Sequence, residues 1–296
     1  MMVFTGFSIN AQDSVLPLWS KQIPNSITTD ETEVKAYTDI LRISKVQQPT
    51  IEVYLPSKAN ANGQAMLIFP GGGYQILAYD WEGTDMAKFL NSNGIAGIVV
   101  KYRLPNSESQ HQAYNVPLQD AQRAIRMVRA NAEKWNINPR KIGIMGFSAG
   151  GHVAATLGTH FKEEVYAPQD HIDTLSARPD FMALIYPVIT LQEAYTHKGS
   201  KVALLGEHPS EEKARHFSNE LQVTADTPPT FLVHATDDTA VPVENSLLFY
   251  SALKEKNVSA TLFIYPQGGH GFSFGFKDPF LKDWTRQLNR WLATMN

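Results

Sequence analysis

The stretch Gly146-Phe147-Ser148-Ala149-Gly150-Gly151 decides the fold of this chain. A short apolar run at 141–145 precedes it, and a run of small residues with helical character follows at 152–157. Strand, sharp turn and helix form the context in which the pattern Gly-x-Ser-x-Gly has a chemical meaning. Its small residues allow a strained turn that raises the serine hydroxyl above the carboxyl edge of a sheet. The alternative is a glycine-rich turn whose serine has no function.

Length and composition restrict the class of protein. The chain has 296 residues, of which 43% are hydrophobic, and this is enough for one large α/β core. A formal net charge of −3 provides no basic field for nucleic acid or for an anionic membrane surface. Because cysteine is absent, disulfides, a thiol nucleophile and thiolate metal sites are excluded. No apolar run approaches the ~20 residues that span a bilayer. We therefore expect neither a nucleic-acid partner nor a membrane span.

Residues 1–12 are apolar at first and then small and polar, like the second half of a signal peptide. The basic segment of such a signal is missing, since the first lysine is Lys21. We interpret residues 1–12 as the remnant of an export signal, with a plain disordered terminus as the alternative. Export would place the protein in the periplasm or outside the cell, and the alternative location is the cytoplasm. The oligomeric state stays open.

From residue 50 onward, short apolar runs alternate with longer helical patterns. This alternation predicts an α/β fold with a mostly parallel, doubly wound sheet flanked by helices. The run at 50–55 alternates polar and apolar residues, as an antiparallel edge strand does. Residues 187–227 lack a long apolar run, and we interpret them as a small helical insertion over the sheet edge. No second domain is indicated, so we expect one domain over 13–296. Strands are predicted at 50–55, 65–69, 95–100, 141–145, 181–186, 230–234 and 260–265, and helices at 82–93, 118–135, 149–160, 243–256 and 278–294.

Three residues with complementary chemistry follow predicted strands in the order Ser148, Asp238, His270. A serine becomes a good nucleophile when a base takes its proton and a third group orients that base. The order Ser, Asp, His is the one expected for a serine on this kind of turn. Open α/β sheets place their ligands at the carboxyl ends of their strands. We therefore expect His270 to be the base and Asp238 to orient it, with Asp237 as the alternative carboxylate.

The other histidines compete with His270 for the role of base. His234 ends a predicted strand and His152 lies inside a predicted helix, so both are interpreted as packed. The remaining six lie in polar contexts that favour solvated side chains: His111, His160, His171, His197, His208 and His216.

Acyl transfer also needs fixed N–H groups that stabilise the negative oxygen of the tetrahedral intermediate. Ala149 is expected to supply one such group at the positive end of its helix. Gly72 and Gly73 follow the strand at 65–69 and are expected to supply the other. Consecutive glycines let the backbone approach a substrate without a clash from Cβ atoms.

Two further groups of residues near these motifs have more than one interpretation. Tyr74 and Trp81, together with Tyr79, form either an aromatic platform for a sugar or simple packing of the loop. The charged residues Glu82, Arg103, Asp120 and Arg123 are interpreted as a structural set of ion pairs and caps behind the site.

From about residue 50 to its end, the chain resembles an α/β-hydrolase of the esterase/lipase type. The stretch 146–151 resembles the nucleophile elbow of that superfamily, and 70–73 resembles its oxyanion loop His-Gly-Gly-Gly with Pro70 in place of the histidine. A narrower resemblance is to bacterial acetylxylan and feruloyl esterases that are associated with xylanases. It rests on the strings Pro70-Gly71-Gly72-Gly73-Tyr74, Glu82-Gly83, Lys101-Tyr102-Arg103-Leu104-Pro105, Asp120-Ala121-Gln122-Arg123-Ala124 and Gly146-Phe147-Ser148-Ala149-Gly150-Gly151-His152.

This resemblance implies a hydrolase that removes acyl groups from the side chains of plant polysaccharides through an acyl-enzyme intermediate. Its substrate would be a small or polysaccharide acyl ester, and the chemistry needs no metal or organic cofactor. A feruloyl esterase, a serine peptidase on the same fold and a non-catalytic carbohydrate-binding module remain as alternatives. We expect the segments 162–179 and 187–227 to shape the pocket that selects the acyl group.

Overall fold

The computed structural model describes residues 14–192, 194–276 and 278–295. The segment 1–12, interpreted above as a signal remnant, therefore lies outside the described residues. None of the helices in the described ranges is long and apolar enough to cross a membrane. The strands are β1 (Ser14–Pro17), β2 (Val34–Tyr37), β3 (Leu41–Ser44), β4 (Thr50–Tyr54), β5 (Ala65–Phe69), β6 (Leu77–Ala78), β7 (Ala96–Lys101), β8 (Ile142–Phe147), β9 (Met182–Ile185), β10 (Thr230–Ala235) and β11 (Ala260–Tyr265). The α-helices are α1 (Asp85–Ser92), α2 (Val116–Ala130), α3 (Ser148–His160), α4 (Lys198–Leu205), α5 (Glu211–His216), α6 (Glu244–Glu255) and α7 (Trp284–Ala293).

Eight strands form the central sheet in the order β1-β4-β7-β5-β8-β9-β10-β11. Every neighbouring pair from β7 to β11 is parallel, whereas β1 and β4 are antiparallel to their neighbours. Helices α1, α2, α3, α6 and α7 pack against strands of this sheet. Every residue of β5, β8, β9 and β10 is buried, as expected for parallel strands that are covered on both faces. The predicted mostly parallel sheet flanked by helices is confirmed.

The N-terminal segment contributes strands that the sequence analysis did not predict. Strand β1 pairs with β4, so the prediction that residues 50–55 form an edge strand is wrong. The alternation of polar and apolar residues in β4 does not reflect exposure at a sheet edge. Glu52 is the one half-buried residue of the strand, and the other four are buried. Its carboxylate accepts hydrogen bonds from the hydroxyl groups of Tyr54 and Tyr79. Strands β2, β3 and β6 form a second, antiparallel sheet.

Two predicted helices begin differently from what periodicity indicated. The helix predicted at 82–93 starts with a π turn at Asp80–Thr84 before α1 begins. The helix predicted at 278–294 begins as a short 3-10 turn and becomes α7 at Trp284. Asp278 initiates this turn, because its carboxylate accepts the backbone N–H groups of Phe280 and Leu281.

The segment 187–227 is helical, as predicted, and contains α4 and α5. Asn219 attaches it to α3, since its amide donates to the hydroxyl of Thr156 at 3.1 Å. Asn245 of α6 attaches the start of the segment, because its side-chain oxygen accepts the N–H groups of Ile189 and Thr190. The insertion is thus fixed to two helices of the α/β core.

Buried ion pairs join α2 to the chain segments around it. Arg103 and Asp120 are both buried, and the guanidinium contacts the carboxylate through Nε at 2.9 Å and Nη2 at 2.7 Å. Trp19 donates its indole N–H to the same carboxylate. Arg123 pairs instead with Asp170 and Asp173. The segment 162–179 therefore packs along α2.

The Arg103–Asp120 pair provides a test of this packing. We expect Asp120→Asn to lower the free energy of unfolding by about 3–5 kcal/mol, because it leaves a buried guanidinium without its counter-charge. Urea-induced unfolding measures the loss. Asp283→Asn is the control, since it removes the carboxylate of the exposed Arg286–Asp283 pair. Equal stability of the two variants would contradict the assignment.

Candidate active site

Strand β8 passes directly into α3 at Ser148, which adopts the left-handed conformation with φ of +51°. Such a conformation is strained for a residue with a side chain, and it is concentrated at functional sites. The turn closes because its neighbours lack side chains. A Cβ atom on Gly146 would lie 2.2 Å from the carbonyl oxygen of Gly150, and one on Gly150 would lie 2.1 Å from that of Phe69.

His270 lies between Ser148 and Asp238, which are 122 and 32 residues away from it in the chain. The His270 Nε2 atom is 2.7 Å from Ser148 Oγ, and Nδ1 is 2.7 Å from Asp238 Oδ2. Because a carboxylate only accepts hydrogen bonds, Nδ1 carries the ring proton and Nε2 can accept the serine hydroxyl. The structure thus joins the three residues predicted from strand ends in one hydrogen-bonded chain.

The Asp238 carboxylate is fully buried and held from several sides. Its Oδ1 atom accepts the backbone N–H groups of Ala240 at 3.0 Å and Val241 at 2.8 Å. Burial alone would raise the pKa of Asp238, but hydrogen bonds from His234 and His270 outweigh it and hold the pKa well below its usual value. Asp238 is therefore ionised at neutral pH, which keeps the His270 ring in the required tautomer.

Asp237 and His234 support this arrangement without contacting Ser148. Asp237 is exposed and accepts the N–H of Gly269, so it anchors the loop that carries His270. His234 is fully buried, as predicted, with Nε2 at 3.2 Å from Asp238 Oδ2 and Nδ1 at 2.8 Å from Ser246 Oγ. His234 thus shares the Asp238 carboxylate with His270, a contact that was not predicted from the sequence.

The loop after β5 brings its glycines to the same site. Gly72 and Gly73 have φ angles of +130° and +64° and line the cavity above Ser148. Within the described ranges, their N–H groups donate to no other residue. Ala149 lies in the first turn of α3, where the helix dipole favours negative charge. Pro70, which replaces the histidine of the related motif, accepts the Tyr102 hydroxyl through its carbonyl at 2.7 Å.

Glu82 connects this loop to the loop that carries His270. Its Oε2 accepts the N–H of Gly71 and its Oε1 accepts the hydroxyl of Tyr186, both at 2.8 Å. The Tyr186 oxygen in turn accepts the N–H of Ser273, and its ring packs against His270 with centroids 5.1 Å apart. Glu82 was expected to belong to a set of ion pairs and caps. It pairs with no lysine or arginine among the described residues.

A cavity of about 600 Å³ opens above Ser148. The β2–β3 hairpin lines it through Asp39 and Ile40 of the turn and Arg42 of β3, and this contribution was not predicted. The insertion 187–227 contributes His197, which confirms that this segment shapes the pocket. The segment 162–179 contributes no lining residue, so the corresponding expectation is wrong.

His197 was interpreted as solvated, but it is half-buried in the cavity wall. Its Nδ1 atom accepts a hydrogen bond from the backbone N–H of Ser200 at 3.2 Å and caps α4. Burial lowers the pKa of His197, and protonation of the nearby His270 lowers it further, so the His197 ring is neutral at pH 7.

The two aromatic residues proposed to contact a sugar differ in position. Tyr74 is 1% exposed, and its hydroxyl lies 2.8 Å from Nδ1 of the buried His152. It is absent from the wall of the cavity above Ser148, so packing of the loop is the interpretation that holds for Tyr74. Trp81 is 37% exposed on that wall and donates its indole N–H to the carbonyl of Gly271. Tyr79 is buried against Glu52.

Glu82 gives the site a measurable dependence on pH. Burial raises the pKa of Glu82 against the lowering effect of the hydrogen bonds from Tyr186 and Gly71. A pKa that is raised by folding means that the contribution of Glu82 to stability is lost as pH rises through the folded-state pKa. Glu82→Gln removes this loss. The free energy of unfolding of Glu82→Gln minus that of the wild type should therefore increase from about pH 4 to about pH 8.

Urea-induced unfolding at each pH measures this difference. Glu133→Gln is the matched control, since it makes the same replacement at an exposed position of the chain. A difference between Glu82→Gln and the wild type that falls with pH would contradict the assigned environment of the carboxyl group.

Both the sequence and the fold of this chain resemble those of known proteins. The BD-FAE family model matches residues 51–253. An acetylxylan esterase from Xylanibacter ruminicola is 36% identical over 278 residues, which cover 91% of this chain and 53% of that protein. The endo-1,4-beta-xylanase B of Butyrivibrio fibrisolvens is 38% identical over 80% of this chain and 36% of its own length. This chain thus spans about half or less of these two curated relatives.

A solved structure resembles this one over nearly its whole length. The acetyl ester-xyloside bifunctional hydrolase from Caldicellulosiruptor lactoaceticus superposes with a TM-score of 0.81 at 36% identity, covering 98% of each chain. The propionate-bound esterase Est2 from Thermogutta terrifontis gives a TM-score of 0.69 at 25% identity over 93% of this chain and 96% of its own. The chain has the α/β-hydrolase fold and belongs to the BD-FAE family.

Proposed function

We propose that this protein is a serine carboxylic-ester hydrolase that removes acetyl groups from xylan. The observation that carries the proposal is the hydrogen-bonded chain from Ser148 through His270 to Asp238 at the base of an open cavity. The acetylxylan esterase and the acetyl ester-xyloside hydrolase among its relatives support acetyl as the acyl group.

In the first half of the reaction, His270 Nε2 takes the proton of Ser148 as Oγ attacks the ester carbonyl carbon. The imidazolium that forms is stabilised by the ionised Asp238. The carbonyl oxygen becomes negatively charged, and the N–H groups of Gly72, Gly73 and Ala149 are proposed to hold it. Each such donor contributes about 10²–10³-fold to the rate in comparable sites.

To complete the first half, His270 gives its proton to the sugar oxygen, and the deacetylated polysaccharide leaves behind an acetyl group on Ser148. Water then loses a proton to His270 Nε2 and attacks the acetyl-serine carbonyl. Collapse of the second tetrahedral intermediate returns the proton to Ser148 and releases acetic acid, which ionises to acetate in water. Every proton transfer in the cycle passes through His270, which explains why both of its ring nitrogens are held.

Trp81 is the residue that we propose to contact the polysaccharide. Its indole N–H is bound to Gly271 and its ring is partly exposed on the cavity wall. An aromatic ring held in this way offers an apolar face with little loss of side-chain entropy on binding. Gly271 is the neighbour of His270, so a sugar on Trp81 would lie close to the base.

The organisation and location of the chain follow from the same proposal. We propose that residues 13–296 act as one domain, because the β2–β3 turn and the insertion both line the cavity. We also propose that the protein is exported, since a polymer such as xylan has to be deacetylated where it occurs, outside the cell.

Release of acyl groups from acetylated and feruloylated plant xylan tests the function. We expect the wild type to release acetate, as measured by mass spectrometry. Ser148→Ala should reduce the rate at least about 10⁴-fold. Without the nucleophile, only substrate binding and the N–H groups that hold the negative oxygen still accelerate the reaction. Ser251→Ala is the matched control, because Ser251 is exposed on α6.

Other outcomes identify the competing functions. Ferulate released in preference to acetate would make the protein a feruloyl esterase, and faster cleavage of an aminoacyl nitroanilide than of p-nitrophenyl acetate would make it a peptidase. Binding of xylan without release of any acyl group would indicate a carbohydrate-binding module. Full activity of Ser148→Ala would refute the proposed nucleophile.

A further inference from the structure

Three potential metal ligands meet where the C-terminal end of α3 approaches the C-terminal end of α5. One ligand atom from each of His160, Glu163 and His216 lies within 4.8 Å of the other two. None of the three lines the cavity above Ser148. We propose that this cluster, named the α3–α5 cluster below, binds a divalent transition-metal ion of the Zn²⁺ type.

The His160 side chain is the strongest indication of such a ligand. His160 is 8% exposed, and its Nδ1 atom lies 3.2 Å from the carbonyl oxygen of Thr156 and 2.8 Å from Thr159 Oγ1. Since a carbonyl oxygen only accepts, Nδ1 carries the proton and Nε2 presents its lone pair. In metal sites, a ligating histidine characteristically donates its other N–H to a backbone carbonyl or a carboxylate.

The remaining ring nitrogen of His160 is buried without a hydrogen-bond partner in the described part of the chain. Unpaired buried polar atoms are rare and need an explanation. The backbone carbonyl of His216 lies near the His160 ring, but Nε2 makes no hydrogen bond with it. A bound cation would accept the lone pair of His160 Nε2, to which no group of the described residues donates a hydrogen bond.

His216 and Glu163 can complete the site with small movements. The His216 Nε2 and Glu163 Oε2 atoms are 3.5 Å apart, and the His160 and His216 rings have centroids 4.7 Å apart. Two ligands at about 2.1 Å from a tetrahedral zinc ion lie about 3.4 Å from each other. Since the ligand atoms lie within 4.8 Å of one another, their separations have to shorten by up to about 1.4 Å. His216 and Glu163 have side chains that are 39% and 38% exposed, so they have room to move.

The ligand types indicate which ions fit. Two imidazoles and one carboxylate suit Zn²⁺, Co²⁺ or Ni²⁺ better than Mg²⁺ or Ca²⁺, which prefer oxygen ligands. A surface cavity of about 380 Å³ lined by Glu163 and His216 gives the ion an entry path and room for water as the fourth ligand. The bound ion would join α5 of the insertion to α3 of the core. The insertion carries His197, so the metal would brace one wall of the active-site cavity.

Metal titration of the full chain tests the proposal. After removal of metal with a chelator, we expect Zn²⁺ to bind with one equivalent in calorimetry and to raise the thermal unfolding temperature. Co²⁺ should give the visible absorption of a site with nitrogen ligands. His216→Ala and Glu163→Gln should each weaken Zn²⁺ binding at least about 100-fold. Loss of a residue that only hydrogen-bonds to a metal ligand already weakens binding by up to about 100-fold, and loss of a ligand itself weakens it at least as much.

Two further variants separate this site from other histidines. His208→Ala removes an exposed histidine of the same insertion and should bind Zn²⁺ as the wild type does. His270→Ala should also retain binding, since it removes a nitrogen of the active-site cavity alone. The proposal is overturned if Zn²⁺ does not bind, if His216→Ala binds it unchanged, or if His270→Ala abolishes binding. His216 and Glu163 are the ligands to replace, because their side chains are partly exposed, whereas replacement of the buried His160 would disturb the packing of α3.

Discussion

The strained turn at Ser148 is the constraint on which the rest of the site depends. The left-handed Ser148 turns the chain sharply from β8 into α3, and α3 then packs almost in contact with the backbone of β5. The carbonyl oxygen of Phe69 would be 2.1 Å from a Cβ atom on Gly150, so the approach permits no side chain there. The same approach sets the N-terminus of α3 beside the loop that carries Gly72 and Gly73. One close packing contact thus places the serine hydroxyl and the proposed oxyanion donors at a single cavity.

The second organising element is the buried carboxylate of Glu82. It accepts the N–H of Gly71 on one side and the hydroxyl of Tyr186 on the other, and Tyr186 supports His270 and Ser273. Burying a carboxylate is costly unless its oxygens are hydrogen-bonded, and here both are. This bonding offers a physical account of why Pro70 can replace the histidine of the related oxyanion loop. The loop is ordered from behind by Glu82 and by the Tyr102 hydroxyl.

Much of the site follows from sequence because parallel strands place their carboxyl ends at one edge of the sheet. Ser148, Asp238 and His270 each follow such a strand, so their meeting was predictable from strand order and residue chemistry. Features that depend on irregular segments were not predictable. The β2–β3 turn has no periodic pattern, and the positions of His197 and of the α3–α5 cluster depend on how the insertion packs. The two interpretations of Tyr74 could not be separated from sequence, because the sequence does not reveal that its ring turns inward toward His152.

The most direct test of the central claim is covalent labelling with a fluorophosphonate, followed by mass-spectrometric mapping of the adduct. An activated serine reacts with such a reagent only when a neighbouring base removes its proton. The account predicts one adduct per chain on the peptide that contains Ser148, and loss of that adduct in His270→Ala. An adduct on another serine, or unchanged labelling of Ser148 in His270→Ala, would contradict it.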